Sequence, residues 1–131
     1  MKYENVLSTC PYCGTGCNLY LQVLDGELIG VLPCKEHPVS QGKLCIKGQS
    51  ANEFITHKDR LKKPYIRVNG RLKEASWDDA LGLVAKQLGK YGPSELAALS
   101  SAKSGNEDNY LMQKFTRVML KTNSVDHCAR L

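Results

Sequence analysis

The sequence predicts an α+β chain: a small β-rich unit over residues 1–60, then the incomplete start of an α/β unit over residues 61–131. Three observations predict it. "NLYLQVLDGELIGVLP" alternates apolar residues about Asp25-Gly26, the strongest short hairpin signal. "CPYCGTGC" places Cys10, Cys13 and Cys17 in one tight loop just ahead of that hairpin. Beyond residue 60 the pattern becomes hairpin, helix, strand and helix, which opens a layered α/β arrangement without completing it.

The elements follow in order. "SQGKLCIKG" is polar and glycine-rich and reads as a loop, and "ANEFITHKDRL" suits a short helix. "PYIRVNGRLKEA" is a second hairpin, turning at Asn69-Gly70. Ser76 with Asp79 three positions on resembles a capping box, with Asp in place of the usual Glu. The helix that follows, over 77–89, carries Ala80, Leu81, Val84 and Leu88 on one apolar face. "ELAALSS" reads as a short buried strand. A loop then leads into a helix over 107–121, with Tyr110, Leu111, Phe115, Val118 and Met119 expected toward the core.

Composition narrows the function classes. At 131 residues and 42% hydrophobic content the chain suits one soluble domain that needs no disulfides to build a core. No apolar run reaches the roughly 20 residues of a membrane span. "MKYENVLSTC" has no signal-peptide regions, so a cytoplasmic location is expected. Eighteen Lys and Arg against 13 Asp and Glu give +5, but only "KDRLKK" is dense and no groove-reading motif accompanies it, so nucleic acid is not the expected partner. Six cysteines in a reducing compartment point to metal binding or catalysis rather than disulfides.

The cysteine spacing is C-x2-C-x3-C, then 27 residues to Cys45. Four thiolates can hold one zinc ion or the corners of a [4Fe–4S] cube. Structural zinc usually takes two separated pairs. Three ligands in one loop with a lone fourth suit the cube better, because its corners spread the sulfurs. Gly14 and Gly16 let the backbone approach and direct N–H groups toward cluster sulfur. The three-cysteine loop of radical-SAM enzymes runs C-x3-C-x2-C, in the reverse order. Cys34 is the other candidate fourth ligand, although Pro33 and the hairpin before it favour a buried free thiol. Lys47 is either a solvated lysine or the charge that offsets an anionic cluster.

In this order, "CPYCGTGC", "GKLCIKG", "DRLKKPYIR" and "SWDDAL" resemble the N-terminus of molybdenum- or tungsten-dependent bis(pterin guanine dinucleotide) oxidoreductases. "SSAKSGNEDNYLMQKF" and "VDHCARL" narrow the resemblance to the formate dehydrogenase catalytic (alpha) subunit, over about Val6 to Leu131. Periplasmic nitrate reductases share the cluster loop but match the last motif less well.

The resemblance implies a [4Fe–4S] domain over residues 1–60, ligated by Cys10, Cys13, Cys17 and Cys45, and the start of a pterin-binding domain over 61–131. It implies Lys47 on the electron path between cluster and pterin. It also brings Ser104 to Tyr110 toward the pterin, with Asn106 the first choice of contact; the alternative for Asn106 is a helix-capping role. Arg67 and Trp77 are expected to be structural, and His37 and His57 to lie on the surface. His127 and Cys128, adjacent in an extended segment, are expected on opposite faces and to act as scaffold.

The implied cofactors are the cluster and a molybdenum or tungsten bis(molybdopterin guanine dinucleotide) centre that oxidises formate to carbon dioxide. The implied partners are the rest of the catalytic subunit and an electron acceptor: a ferredoxin-like protein, a flavin or deazaflavin subunit, or a hydrogenase. Family members continue after this point with the metal ligand, cysteine or selenocysteine. The expectation is therefore a chain that stops at a UGA codon for selenocysteine and is inactive alone. The alternatives are a stand-alone [4Fe–4S] electron carrier with no exposed apolar face, or a zinc-binding interaction module.

Overall fold

A computed structural model describes residues 1–128, and their architecture is α+β. β1 (Tyr3–Thr9), β2 (Asn18–Leu24) and β3 (Glu27–Pro33) form an antiparallel sheet in the order β1-β2-β3. At the β2–β3 turn Asp25 and Gly26 have φ of 49° and 88°. Two positive φ values match the twist of the flanking strands, which is why Asp-Gly is favoured there. Asp25 Oδ1 accepts from the Lys2 N–H at 2.6 Å, tying the start of β1 to the hairpin tip.

β1 is an addition to the expected hairpin. Its residues are almost all exposed, and an edge strand covered on neither face leaves no alternation to read. The segment around Cys45, expected as a loop, also differs. It leads into α1 (Ile46–Gln49), followed by α2 (Glu53–Thr56). A four-residue helix containing Gly48 is too short to show helical periodicity.

The second half begins with the hairpin β4 (Tyr65–Val68) and β5 (Arg71–Glu74), turning at Asn69 and Gly70 with φ of 50° and 79°. Arg67 Nη1 donates to the Gly70 carbonyl at 2.7 Å, so it braces this turn. In α3 (Trp77–Leu88), Ser76 Oγ accepts from the Asp79 N–H at 3.1 Å and donates to Asp79 Oδ2 at 2.6 Å. The cap forms, but Asp79 is too short for the usual return to the N-cap backbone and binds the serine hydroxyl instead.

After a 3-10 turn (Pro93–Glu95) come β6 (Ala98–Ser101), α4 (Asn106–Val118) and β7 (Val125–Cys128). β6 and β7 pair in parallel, from Ala98 opposite Val125 to Ser101 opposite Cys128. The expectation of a single strand is therefore corrected to a β–α–β unit of two. "VDHC" has no apolar run to mark it, and its strand character comes from pairing alone.

The core is small and lies under the cysteine loop. Cys10, Leu19 and Ala51 form it, with Tyr12, Cys17, Leu21, Val31 and Leu44 packed against them. The helices of the second half have no comparable cover. Tyr110, Leu111, Phe115, Val118 and Met119, expected inward, are all exposed, as are Leu81 and Val84. The buried side chain of α4 is Thr116, whose hydroxyl donates to the Met112 carbonyl at 2.8 Å. The amphipathic pattern is real, but among the described residues no second layer receives it. The chain accordingly exposes 10079 Å², about one and a half times what a compact monomer of its mass exposes.

Candidate cluster site

The loop between β1 and β2 carries three of the thiols. The Cys10 N–H donates to the Cys17 carbonyl at 2.8 Å, closing the loop at its base. The Gly16 N–H donates to the Cys13 carbonyl at 3.2 Å, and Gly16 takes φ 62°, which a glycine accepts without strain. Cys45 arrives from the other side, as the residue capping α1. The α1 backbone also meets the loop: a Cβ on Gly48 would sit 3.6 Å from Cys10 Sγ.

Cys13 and Cys17 feel the charges of neighbouring thiols. Burial raises the Cys17 thiol, and the charges of Cys10, Cys13 and Cys45 raise it further. Cys13 is held below the usual thiol range by the Thr15 hydroxyl and then the Thr15 N–H. Its Sγ lies 3.4 Å from Thr15 Oγ1. Cys45 is lowered first by the Gly48 N–H and next by that of Lys47. The Lys47 ammonium lowers both Cys13 and Cys45, so this lysine lies on their side of the site.

This donor set fits an iron–sulfur cube. Four thiolates repel one another unless a cationic core lies between them, and the Thr15 hydroxyl with the N–H groups of Thr15, Lys47 and Gly48 already favours the thiolate forms of Cys13 and Cys45. Among the described residues, no three His, Cys, Asp or Glu side chains are placed to hold a single metal ion.

Beside the loop opens a cavity of about 710 Å³, lined by Tyr12, Lys47, Glu53, Phe54 and Arg60 among others. Tyr12 meets Phe54 edge-on at 6.0 Å, and the Arg60 guanidinium stands over Phe54 at 5.0 Å. Phe54 and Arg60 were not singled out from the sequence. Their only signal was the position of Arg60 in the dense basic run.

Cys34 is buried, with its Sγ 3.5 Å from Glu36 Oε2, and its charge is not among those acting on Cys13, Cys17 or Cys45. His57 is exposed, but His37 is half-buried, a correction. Its Nδ1 accepts the Ser40 N–H at 3.1 Å and pairs with the Ser40 hydroxyl, because the 37–42 turn folds over it. Trp77 is exposed beside Lys62, Pro64 and Glu74. His127 borders a hollow with Asn109 and Gln113, whereas Cys128 Sγ faces Ser101 Oγ at 3.7 Å. The last three residues of "VDHCARL" lie outside the described residues.

Asn106 does not cap its helix. The N-cap of α4 is Gly105, with no side-chain capping bond, and Asn106 is the first helical residue. Its Nδ2 instead donates to the Gly14 carbonyl at 2.9 Å, across 92 residues of chain. Thr15 and Asn109 also escaped the sequence reading, since a threonine in a loop and an asparagine in a helix carry no local signature.

The family model described as "Molybdopterin oxidoreductase Fe4S4 domain" matches residues 3–57, and the one described as "Molybdopterin oxidoreductase" matches residues 60–131. The F420-dependent formate dehydrogenase 1 subunit alpha of Methanococcus maripaludis is 55% identical over 131 residues, which are 100% of this chain and 19% of that protein. The F420-dependent formate dehydrogenase subunit alpha of Methanocaldococcus jannaschii is 50% identical, again over 100% of this chain and 19% of its own length. The putative formate dehydrogenase YrhE of Bacillus subtilis is 38% identical over 98% of this chain and 14% of its own. The chain therefore spans about a fifth of the length of its archaeal relatives. The matched domains carry a [4Fe–4S] cluster and a molybdopterin. The chain belongs to the molybdopterin oxidoreductase family.

Proposed function

We propose that this chain is the cluster-bearing part of a formate dehydrogenase alpha subunit. The observation that carries the reading is the three-thiol loop with Cys45 near enough for its charge to act on Cys13 and Cys17, beside Lys47, in a chain half-identical to two such subunits. Cys10, Cys13, Cys17 and Cys45 ligate the cluster. Lys47 lies on the electron path, where its ammonium offsets the cluster's negative charge and favours the reduced state. Asn106, at the start of α4, stands on the pterin side.

When bound, the pterin-held molybdenum or tungsten supplies the two-electron chemistry that converts formate to carbon dioxide and a proton. The residues of this chain hold the cluster and shape its surroundings. The electrons leave to a partner redox protein. The names of the two archaeal relatives, both F420-dependent, favour a deazaflavin-reducing partner over a ferredoxin-like protein or a hydrogenase. No described helix is long and apolar enough to cross a membrane, and the proposed location is the cytoplasm.

A self-sufficient electron carrier was expected to expose no apolar face. The exposed faces of α3 and α4 count against it.

Anaerobic reconstitution with iron and sulfide tests the cluster. The expected result is broad absorption near the visible–ultraviolet boundary, with iron and sulfide bound in equal amounts. Binding of zinc alone, with no such absorption, would overturn the assignment. Formate-dependent reduction of a viologen dye by the full-length, pterin-loaded protein tests the activity.

A further inference from the structure

The contact between Asn106 and Gly14 joins the start of α4 to the middle of the cysteine loop. It is close-fitting as well as polar: a Cβ on Gly14 would lie 2.5 Å from Asn106 Oδ1. Gly14 and Thr15 share a peptide unit, which is planar and trans, so its C=O and N–H point in opposite directions. Asn106 Nδ2 holds the C=O end at 2.9 Å. The N–H end, that of Thr15, is directed away from Asn106 and helps lower the Cys13 thiol. The Thr15 hydroxyl meets the same sulfur at 3.4 Å.

We propose that Asn106 is a positioning residue for the cluster: by clamping the Gly14 carbonyl it aims the Thr15 N–H at Cys13 and so sets the cluster's reduction potential and its retention. The inference rests on the cluster reading above. An N–H directed at a ligand sulfur stabilises the more negative, reduced cluster and raises its potential. A donor on the carbonyl also polarises the peptide and strengthens the N–H at its other end. The two ends belong to different matched domains, so the second domain acts on the cluster of the first through one side chain.

The test uses the full chain loaded anaerobically with iron and sulfide. Asn106→Ala removes the clamp, and Asn106→Asp keeps its size while replacing the donor with an acceptor. Both variants are expected to take up the cluster, with a midpoint potential shifted to more negative values and an altered electron paramagnetic resonance spectrum. Release of iron to a chelator should quicken about five- to tenfold, the effect of one lost hydrogen bond. Gly14→Ala displaces Asn106 and should shift the potential in the same direction, with the double variant Gly14→Ala/Asn106→Ala no lower than either single change. A purely structural role for Asn106 would alter stability and leave the potential in place. Unchanged potential and release in both Asn106 variants would overturn the proposal. If Asn106→Ala does not fold, the Asp and Gly14 variants decide by the same readings. Failure of the unaltered chain to take up a cluster would overturn the underlying reading, and this proposal with it.

Discussion

Asn109 of α4 takes both backbone groups of Ser101 on β6: its Oδ1 accepts the Ser101 N–H at 3.4 Å, and its Nδ2 donates to the Ser101 carbonyl at 3.0 Å. The Ser100 hydroxyl donates to the same Oδ1, and the Ser104 carbonyl accepts from Nδ2 at 3.4 Å. A half-buried asparagine thus fixes the helix to the strand and closes the turn between them. Asn109→Ala should destabilise the chain by about 2 kcal/mol, roughly one for each good bond lost. Urea denaturation followed by circular dichroism measures it, and a loss below about 0.5 kcal/mol would mean these bonds are replaced by water.

The cysteines separate into two classes. Alanine at Cys10, Cys13, Cys17 or Cys45 should each abolish the full cluster, because a cube with one bare corner loses iron or decays. Alanine at Cys34 should leave iron, sulfide and absorption unchanged, since that buried thiol is not among the charges acting on Cys13, Cys17 or Cys45. Loss of the cluster in Cys34→Ala, with retention in Cys45→Ala, would exchange their roles.

A groove of about 510 Å³ runs between α3 and α4, lined by Leu81, Val84, Leu88, Tyr91, Phe115 and Met119 among others. Exposed apolar surface on this scale drives association. The isolated chain should self-associate, and Leu81→Glu with Met119→Lys should raise the monomer fraction several-fold in sedimentation velocity. An unaltered distribution would place the association elsewhere.

Cys128 should be the most readily alkylated thiol outside the cluster. The Ala102 N–H, then the Ser101 hydroxyl, hold it below the usual thiol range, and it is exposed. The thiolate is the reactive form, so a lowered pKa means more reaction at a given pH. Iodoacetamide labelling of the native chain should reach half its plateau at a lower pH than in the unfolded chain. Ser101→Ala should move that midpoint back up. Coincident native and unfolded midpoints would remove the argument.

Elements written in short local signals were legible. Asp25-Gly26 and Asn69-Gly70 turn with the positive φ their residue types favour, and Ser76 caps α3. β1 and β7 were not, because an edge strand and a polar four-residue strand exist only through their partners. The helical faces were legible as amphipathic, but which surface would cover them was not. At the site, the spacing of Cys10, Cys13 and Cys17 sets three thiols in one loop, whereas Thr15, Phe54, Arg60 and Asn109 act through contacts with no sequence pattern.

The sequence by itself determined the local features: three thiols in one loop, a fourth after a glycine-rich stretch, and turns and caps at set positions. These depend on neighbouring residues, whose covalent spacing constrains what they can do. The tertiary structure alone decided that β6 pairs with β7 and that Asn106 reaches Gly14 across 92 residues. Such contacts are set by how sheets and helices pack, and no local propensity encodes a hydrogen bond between residues so far apart in the chain.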